Sequence, residues 1–396
     1  MGLSIYLNAM GILSPMGLGS EETLRLLLDG DQSGMIRSDH WTPGVEEIVG
    51  QVTEPLPILK SKEPAFQSRN NQILMAALDQ ISDEVNEAIS QFGEYRVGVV
   101  LGSSTSGVEE SEKAIQFHEK HGSFPQNYHF SQQEIGTPSA FAAHYLGVKG
   151  PVYTVSSACA SGGKAFSAGA RLIKAGICDA VIVGGADSLC HMTVGGFRSL
   201  QAISDEICNP MSQNRSGTNI GEGAAVFLMS MKPAAIQYLG SGESSDAHHI
   251  SAPDPNGSGA RKAMQLALQS AGIAPEQVSY INMHGTATEL NDKMESLAIS
   301  SLFPEHVPVS STKPLTGHAL GAAGAIEAAC MWLILSQEKS QRYLPPHVWD
   351  SVVDEDLPRL RLTGKAEKID GSERHILMSN SFAFGGSNVS ILMGAD

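Results

Sequence analysis

The sequence predicts an α/β fold made of two similar halves, and three observations carry that prediction. Short apolar, β-branched runs alternate with helical stretches along the whole chain. The order of those runs repeats across a boundary near residue 230. Finally, 41 glycines among 396 residues, with 42% hydrophobic and 17% charged residues, describe a globular chain with many tight turns.

Taken in order, SIYLNAMGIL opens the chain as a strand. QILMAALDQISDEVNEAISQ has apolar residues three and four apart, predicts one helix, and leads into the strand RVGVVLGSS. PVYTVSS reads as a strand entering the small-residue helix SGGKAFSAGARLIKAG, and AVIVGGA and AAVFLM read as further strands. MKPAA is a connection. Beyond it come the strand IQYLGSG, the helix ARKAMQLALQSAG, the strands SYINMHG and VPVSS, the helix GAAGAIEAACMWLILSQ and the strand HILMSNS. Residues 1–230 and 231–396 are therefore expected to be two equivalent halves whose strand ends surround one cleft. The polar stretch 109–135 is expected to be peripheral. Its His118 and His121 lack a third ligand and read as solvated surface rather than a metal site.

Lys and Arg total 26 against 42 Asp and Glu, a formal charge of −16, which argues against non-specific binding to nucleic acid or anionic membrane. No apolar run reaches the roughly 18 residues of a membrane span, since AAGAIEAACMWLIL contains Glu327. The first 24 residues hold no Lys or Arg, so a secretory signal is not expected, and Tyr6 stands where a myristoylation signal needs Ser or Thr. The five cysteines show no CxxC spacing, which fits a reducing cytoplasm.

Cys159 lies where the strand PVYTVSS hands over to a helix among small residues. That position predicts a thiol pKa lowered by the helix dipole, and a nucleophile with backbone amides free to face an oxyanion. The competing reading, a buried structural cysteine, is kept for Cys178, Cys190, Cys208 and Cys330. His284 and His318 sit at two further strand exits, where neutral imidazoles can donate hydrogen bonds to one carbonyl oxygen; taken singly, each reads more readily as a satisfied core or loop histidine, and the company of Cys159 tips the reading toward catalysis. Lys313 and Glu327 are charges in apolar surroundings, readable as a buried pair or as side chains reaching water. Gly385 and Gly386 let the backbone at Phe384 approach a ligand closely. No GxxxxGK[ST] occurs and no GxGxxG joins a strand to a helix, so a nucleotide cofactor is unsupported.

The ordered motifs VSSACASG, HGTAT, SSTKPLTGH, GAAGAIE and SNSFAFGGSN resemble those of the elongating Cys-His-His β-ketoacyl-acyl-carrier-protein synthases, along essentially the whole chain. That resemblance implies the thiolase fold, with five αβαβα layers. It implies that Cys159 accepts an acyl group as a thioester, with the amides of Cys159 and Phe384 as oxyanion donors. His284 and His318 would hold the malonyl thioester oxygen during decarboxylation, and Lys313 and Glu327 would form the supporting pair. Thr286 and Thr288, with Gly385 and Gly386, would bind substrate, and Phe384 would act as a gate. No metal or resident cofactor is implied, because phosphopantetheine arrives on the carrier protein. The loop NPMSQNRSGTNIGEGA departs from the family, with Met211 for Phe and Ser212 and Ser216 for acids. SRNNQILMAALDQI, LGSSTSGVEE, GESSDAHHISAPDPNG and HGTATELND look more like ketosynthases of aryl polyene pathways. The implied partners are an acyl carrier protein, docking near Lys60, Lys62 and Arg69, and either a second copy or a chain-length-factor-like subunit. Housekeeping fatty-acid elongation and a non-catalytic partner subunit stand as alternatives.

Overall fold

The computed structural model of the chain describes residues 3–369 and 374–396. The first half contains β1 (Ile5–Ser14), α1 (Arg69–Asp79), α2 (Ser82–Phe92), β2 (Val97–Gly102), α3 (Val108–His121), α4 (Thr137–Leu146), β3 (Val152–Val155), α5 (Ser161–Lys174), β4 (Ala180–Asp187), α6 (His191–Ser199) and β5 (Gly223–Ser230). The second contains β6 (Ile236–Ser245), α7 (Ser258–Ala271), β7 (Tyr280–Asn282), α8 (Glu289–Ser300), β8 (Pro308–Ser310), α9 (Leu320–Ser336), β9 (His375–Phe382) and β10 (Ser387–Ala395).

The strands of the first half run in the order β3-β2-β4-β5-β1, parallel from β3 to β4 and antiparallel beyond. Those of the second run β8-β7-β9-β10-β6 with the same pattern of directions. Each strand of one half thus has a counterpart five places later in the other. The two sets meet where Ile5, Tyr6 and Leu7 of β1 pair with Tyr238, Gln237 and Ile236 of β6.

Both faces of each sheet are covered, which is why the central strands read as continuous apolar runs. On β4, Val181 and Val183 face the middle of the molecule, while Ile182 faces α1 and α4 with Ile73, Leu74 and Phe141. In the second half Met378 and Leu392 pack outward on Met264 and Leu268 of α7 and Met294 of α8. Between the sheets lie α5 and α9, completing the five layers. Apart from Glu327, α9 carries apolar and small residues on every side because protein surrounds it. Their contact is close: a Cβ on Gly324 would meet Ser381 Oγ at 2.8 Å and the Gly163 nitrogen at 2.9 Å.

The helix expected over QILMAALDQISDEVNEAISQ is two helices. The Gln80 side chain breaks it by leaving the helix surface to bond β1, donating to the Ile12 carbonyl at 2.9 Å and accepting from the Ile12 amide at 3.1 Å. The polar stretch at 109–135 includes a regular helix, α3, on which His118 stacks over Phe124 at 4.6 Å and His121 lies against Phe117 at 4.2 Å. Also absent from the sequence reading is a two-stranded hairpin, Met35–Thr42 with Val45–Gly50, whose many charged residues mask its alternation. Among the described residues, no helix is long and apolar enough to cross a membrane.

Gly324→Ala is expected to destabilise the chain by about 1–3 kcal/mol through overpacking at the α5–α9 contact. A urea titration would show a lower midpoint with an unchanged slope.

Candidate active site

Four strand exits converge on one cavity. After β3 the chain turns through Ala158 at φ 46° and presents Cys159 just before α5. Ser161 holds that turn: its hydroxyl donates to the Ala158 carbonyl at 2.5 Å and accepts from the Ser157 amide at 2.8 Å. After β7, His284 and Gly285 both donate backbone N–H bonds to the buried carboxylate of Glu295, each at 2.8 Å. After β8, Gly317 adopts φ 65° and the His318 amide donates to the Asn219 carbonyl at 2.7 Å. After β9 the chain passes through half-buried Phe384 into Gly385 and Gly386, at φ 82° and 77°.

His318 Nε2 lies 2.9 Å from Cys159 Sγ. The sulfur and one nitrogen from each of His284 and His318 all fall within 4.8 Å of one another. The two imidazoles cross at 82° with centroids 5.2 Å apart. The backbone amides of Phe384 and of Cys159 itself are directed at the sulfur. All three side chains line a cavity of about 500 Å³ that also includes Thr286, Thr288 and Phe384.

Lys313 and Glu327 pair at 2.5 Å with both side chains buried. The same ammonium donates to the His284 carbonyl and approaches His284 Nδ1 at 3.4 Å. An ammonium can only donate, so Nδ1 accepts and the His284 ring carries its proton on Nε2. His318 Nδ1 is buried with no hydrogen-bond partner among the described residues.

Burial, and after it the nearby Lys313 charge, holds both histidines well below the usual imidazole pKa, so both rings are neutral. The expectation of a lowered Cys159 pKa is corrected here. Loss of solvent pushes the thiol up to about 12, against the smaller favourable effects of Lys313 and the Phe384 and Cys159 amides. Desolvation outweighs the helix terminus because Cys159 precedes the helix and is buried. The resting site is thus a neutral thiol beside neutral imidazoles. Such a thiol is a poor metal ligand, and the adjacent Lys313 charge further opposes a cation.

Thr286 and Thr288 stand with their hydroxyls 2.9 Å apart on the cavity wall. Gly386 is buried and Gly385 exposed. Met211 donates its amide to Asp292 at 2.8 Å, Ser212 bonds Asp350 at 2.8 Å, and Ser216 lines the cavity. Lys60 and Lys62 are exposed, but Arg69 is corrected as a docking cation. It turns inward, placing Nε at 2.9 Å and a terminal nitrogen at 2.5 Å from the fully buried Glu222 carboxylate, so its charge is already neutralised.

Sequence reasoning missed three contributors. Asp187 ends β4 fully buried and accepts from Ser103, Ser104, Thr105 and, at 2.6 Å, the Gly321 amide at the start of α9. Its signal was a carboxylate closing an apolar strand. Glu295 had a similar one, three residues after Asp292 on α8. Phe197 stacks flat on Phe384, centroids 5.4 Å apart at 9°, and nothing in VGGF announces that contact.

Residues 4–235 match the family described as "Beta-ketoacyl synthase, N-terminal domain", and residues 236–348 match "Beta-ketoacyl synthase, C-terminal domain". A Staphylococcus aureus (strain MRSA252) protein named 3-oxoacyl-[acyl-carrier-protein] synthase 2 is 30% identical over 98% of this chain and 97% of its own. The structure of a ketosynthase (ApeO) in complex with its chain length factor (ApeC) from Xenorhabdus doucetiae superposes with a TM-score of 0.94 at 44% identity, covering 100% of this chain and 98% of that one. The ishigamide ketosynthase/chain length factor superposes at 0.89 with 26% identity, covering 100% of both.

Lys313→Ala is expected to cost about 3–5 kcal/mol, because Glu327 is left buried and unpaired. Lys313→Met combined with Glu327→Leu should recover most of that loss in a denaturant titration.

Proposed function

On the premise that the chain belongs to the β-ketoacyl synthase family, we propose that it performs decarboxylative Claisen condensation of an acyl thioester with malonyl-acyl-carrier-protein in aryl polyene assembly. The observation that carries this is the Cys159 sulfur at 2.9 Å from His318, with His284 completing the cluster in a shared cavity.

The acyl group passes from the carrier's thiol to Cys159. The Cys159 proton moves through His318 to the departing sulfur, and charge appearing on Cys159 is met by Lys313 and the two backbone amides. Malonyl thioester then binds along Thr286 and Thr288. Its C–CO₂ bond breaks, and the electron pair passes into an enolate whose oxygen accepts from Nε2–H of His284 and of His318, whose neutral ring shifts its own proton from Nδ1 to Nε2 once the acylated sulfur no longer offers one. The enolate carbon attacks the acyl-Cys carbonyl, the Cys159 and Phe384 amides hold the oxyanion, and the Cys159 sulfur leaves as a thiolate that takes one proton from solvent to restore the neutral thiol. Splitting the condensation into transfer and attack is ordinary covalent catalysis. The scheme needs no resident cofactor or metal, and it suits a protein of the cytoplasm.

For the pathway, the 44% identity to the Xenorhabdus ketosynthase solved with its chain length factor supports a heterodimer with a chain-length-factor-like subunit, and the aryl-polyene-like stretches of the sequence support that substrate class. The 30% identity to the staphylococcal 3-oxoacyl-[acyl-carrier-protein] synthase 2 supports a second reading, elongation of fatty-acyl chains, for which a homodimer is the expected form. Co-purification from the native source separates the two: a bound second subunit supports the first and self-association alone the second. The intact Cys159, His284 and His318 argue against a non-catalytic subunit.

Cys159→Ala should abolish the acyl adduct seen by mass spectrometry. His284→Ala should keep that adduct while carbon dioxide release from malonyl-carrier falls roughly 10²–10³-fold, the usual loss for one oxyanion donor. Equal loss of both steps would overturn the division of roles. Because both imidazole pKa values lie below the ordinary one, the donor form survives as pH falls. Decarboxylation should therefore stay level from about pH 8 to about 6.5, where a solvent-exposed histidine would be half protonated, and decline only in more acid solution.

A further inference from the structure

α6, which carries Phe197, is loosely seated. Val194 is its buried residue, and its main packing partners are the 35–50 hairpin and α3 rather than either sheet. The hairpin grips it at both ends. At the start of the helix, His191 Nδ1 lies 3.0 Å from the carbonyl of the buried Trp41. Toward its end, Arg198 forks onto Glu47, with Nε at 3.0 Å from Oε1 and a terminal nitrogen on Oε2, while its other terminal nitrogen reaches Asp205 at 2.7 Å. The Glu47 side chain has no exposure, on an otherwise surface-charged hairpin.

A fully buried carboxylate is costly unless a bidentate partner holds it, so this pair fixes α6 against the hairpin in one register. The next residue back is Phe197. It packs against the apolar cluster that includes Trp41, Val49, Val194 and Leu320, stacks on Phe384 and stands at 87° to the His318 ring with centroids 6.4 Å apart. The clamp is therefore one residue and one stacked ring removed from the segment whose amide faces Cys159.

We propose that the hairpin clamps the gate: Glu47 and Arg198 are positioning residues that hold Phe197 against Phe384 and thereby set how often Cys159 is reachable from the cavity. This rests on the reading of Phe384 as a gate over an acyl-accepting Cys159. Loosening the clamp frees Phe384 to swing away. Access to the sulfur then rises, while the Phe384 amide leaves the oxyanion position and condensation falls.

The test measures alkylation of Cys159 by iodoacetamide, read on the Cys159 peptide by mass spectrometry, alongside condensation kcat, at a temperature where every variant is folded. Glu47→Gln should raise the alkylation rate roughly three- to tenfold, the size expected for coupled neighbours, and lower kcat. Arg198→Lys, which keeps the cation but not the fork, should fall between it and wild type. Phe197→Ala should also raise alkylation, and adding Glu47→Gln to it should change nothing further. Unchanged alkylation in Glu47→Gln, or multiplicative effects in the double variant, would overturn the clamp. A merely structural role would lower Tm and leave the alkylation rate of folded protein alone. Alkylation needs the thiol to be reached and ionised but needs no acyl substrate, so a wild-type protein that accepts no acyl group would defeat the proposed reaction while the clamp is still judged separately.

Discussion

The site depends on how closely two helices cross in the middle of the molecule. Helices bearing ordinary side chains pack with axes about 8–10 Å apart. α5 and α9 approach with glycine at their contact, where a single added methyl on Gly324 would strike the Gly163 backbone. Each helix begins at a strand exit, so bringing the helices together brings their entering loops together. That is how Cys159, in one half of the chain, and His318, in the other, come within 2.9 Å of each other.

Once the crossing excludes water, the electrostatics follow. Low dielectric penalises every charge, raising the thiol and lowering the imidazoles, so the two partners settle as neutral species. Lys313, the cation beside the imidazoles, is compensated by Glu327 and directed at His284. Donors fixed in dry surroundings need no rearrangement when substrate brings negative charge to them, which is the condition under which hydrogen bonds contribute most to a reaction.

Much of this was legible in the sequence, and the remainder was hidden for identifiable reasons. The strands were readable because burial on both faces leaves unbroken apolar runs such as AVIVGGA. The duplication was readable because the order of elements survives when identity does not. Cys159, His284, His318 and Lys313 stood out because reactive side chains sat beside small residues at strand exits. The break after Asp79 was invisible because it depends on Gln80 meeting a strand almost seventy residues away. Arg69 looked like a surface cation because nothing local reveals the buried Glu222, and the Cys159 pKa was misjudged because local reasoning sees a helix terminus but not the loss of solvent.

The matched strand order has one more consequence. The exits of β2 and β4 are the counterparts of those that carry His284 and Phe384, yet they hold no reactive groups. Instead Asp187 draws Ser103, Ser104 and Thr105 together and anchors the first turn of α9 through Gly321. One half of the repeated plan is the buttress of the other. A plan laid down twice divides the labour: one set of loops carries the chemistry while its twin supplies the masonry.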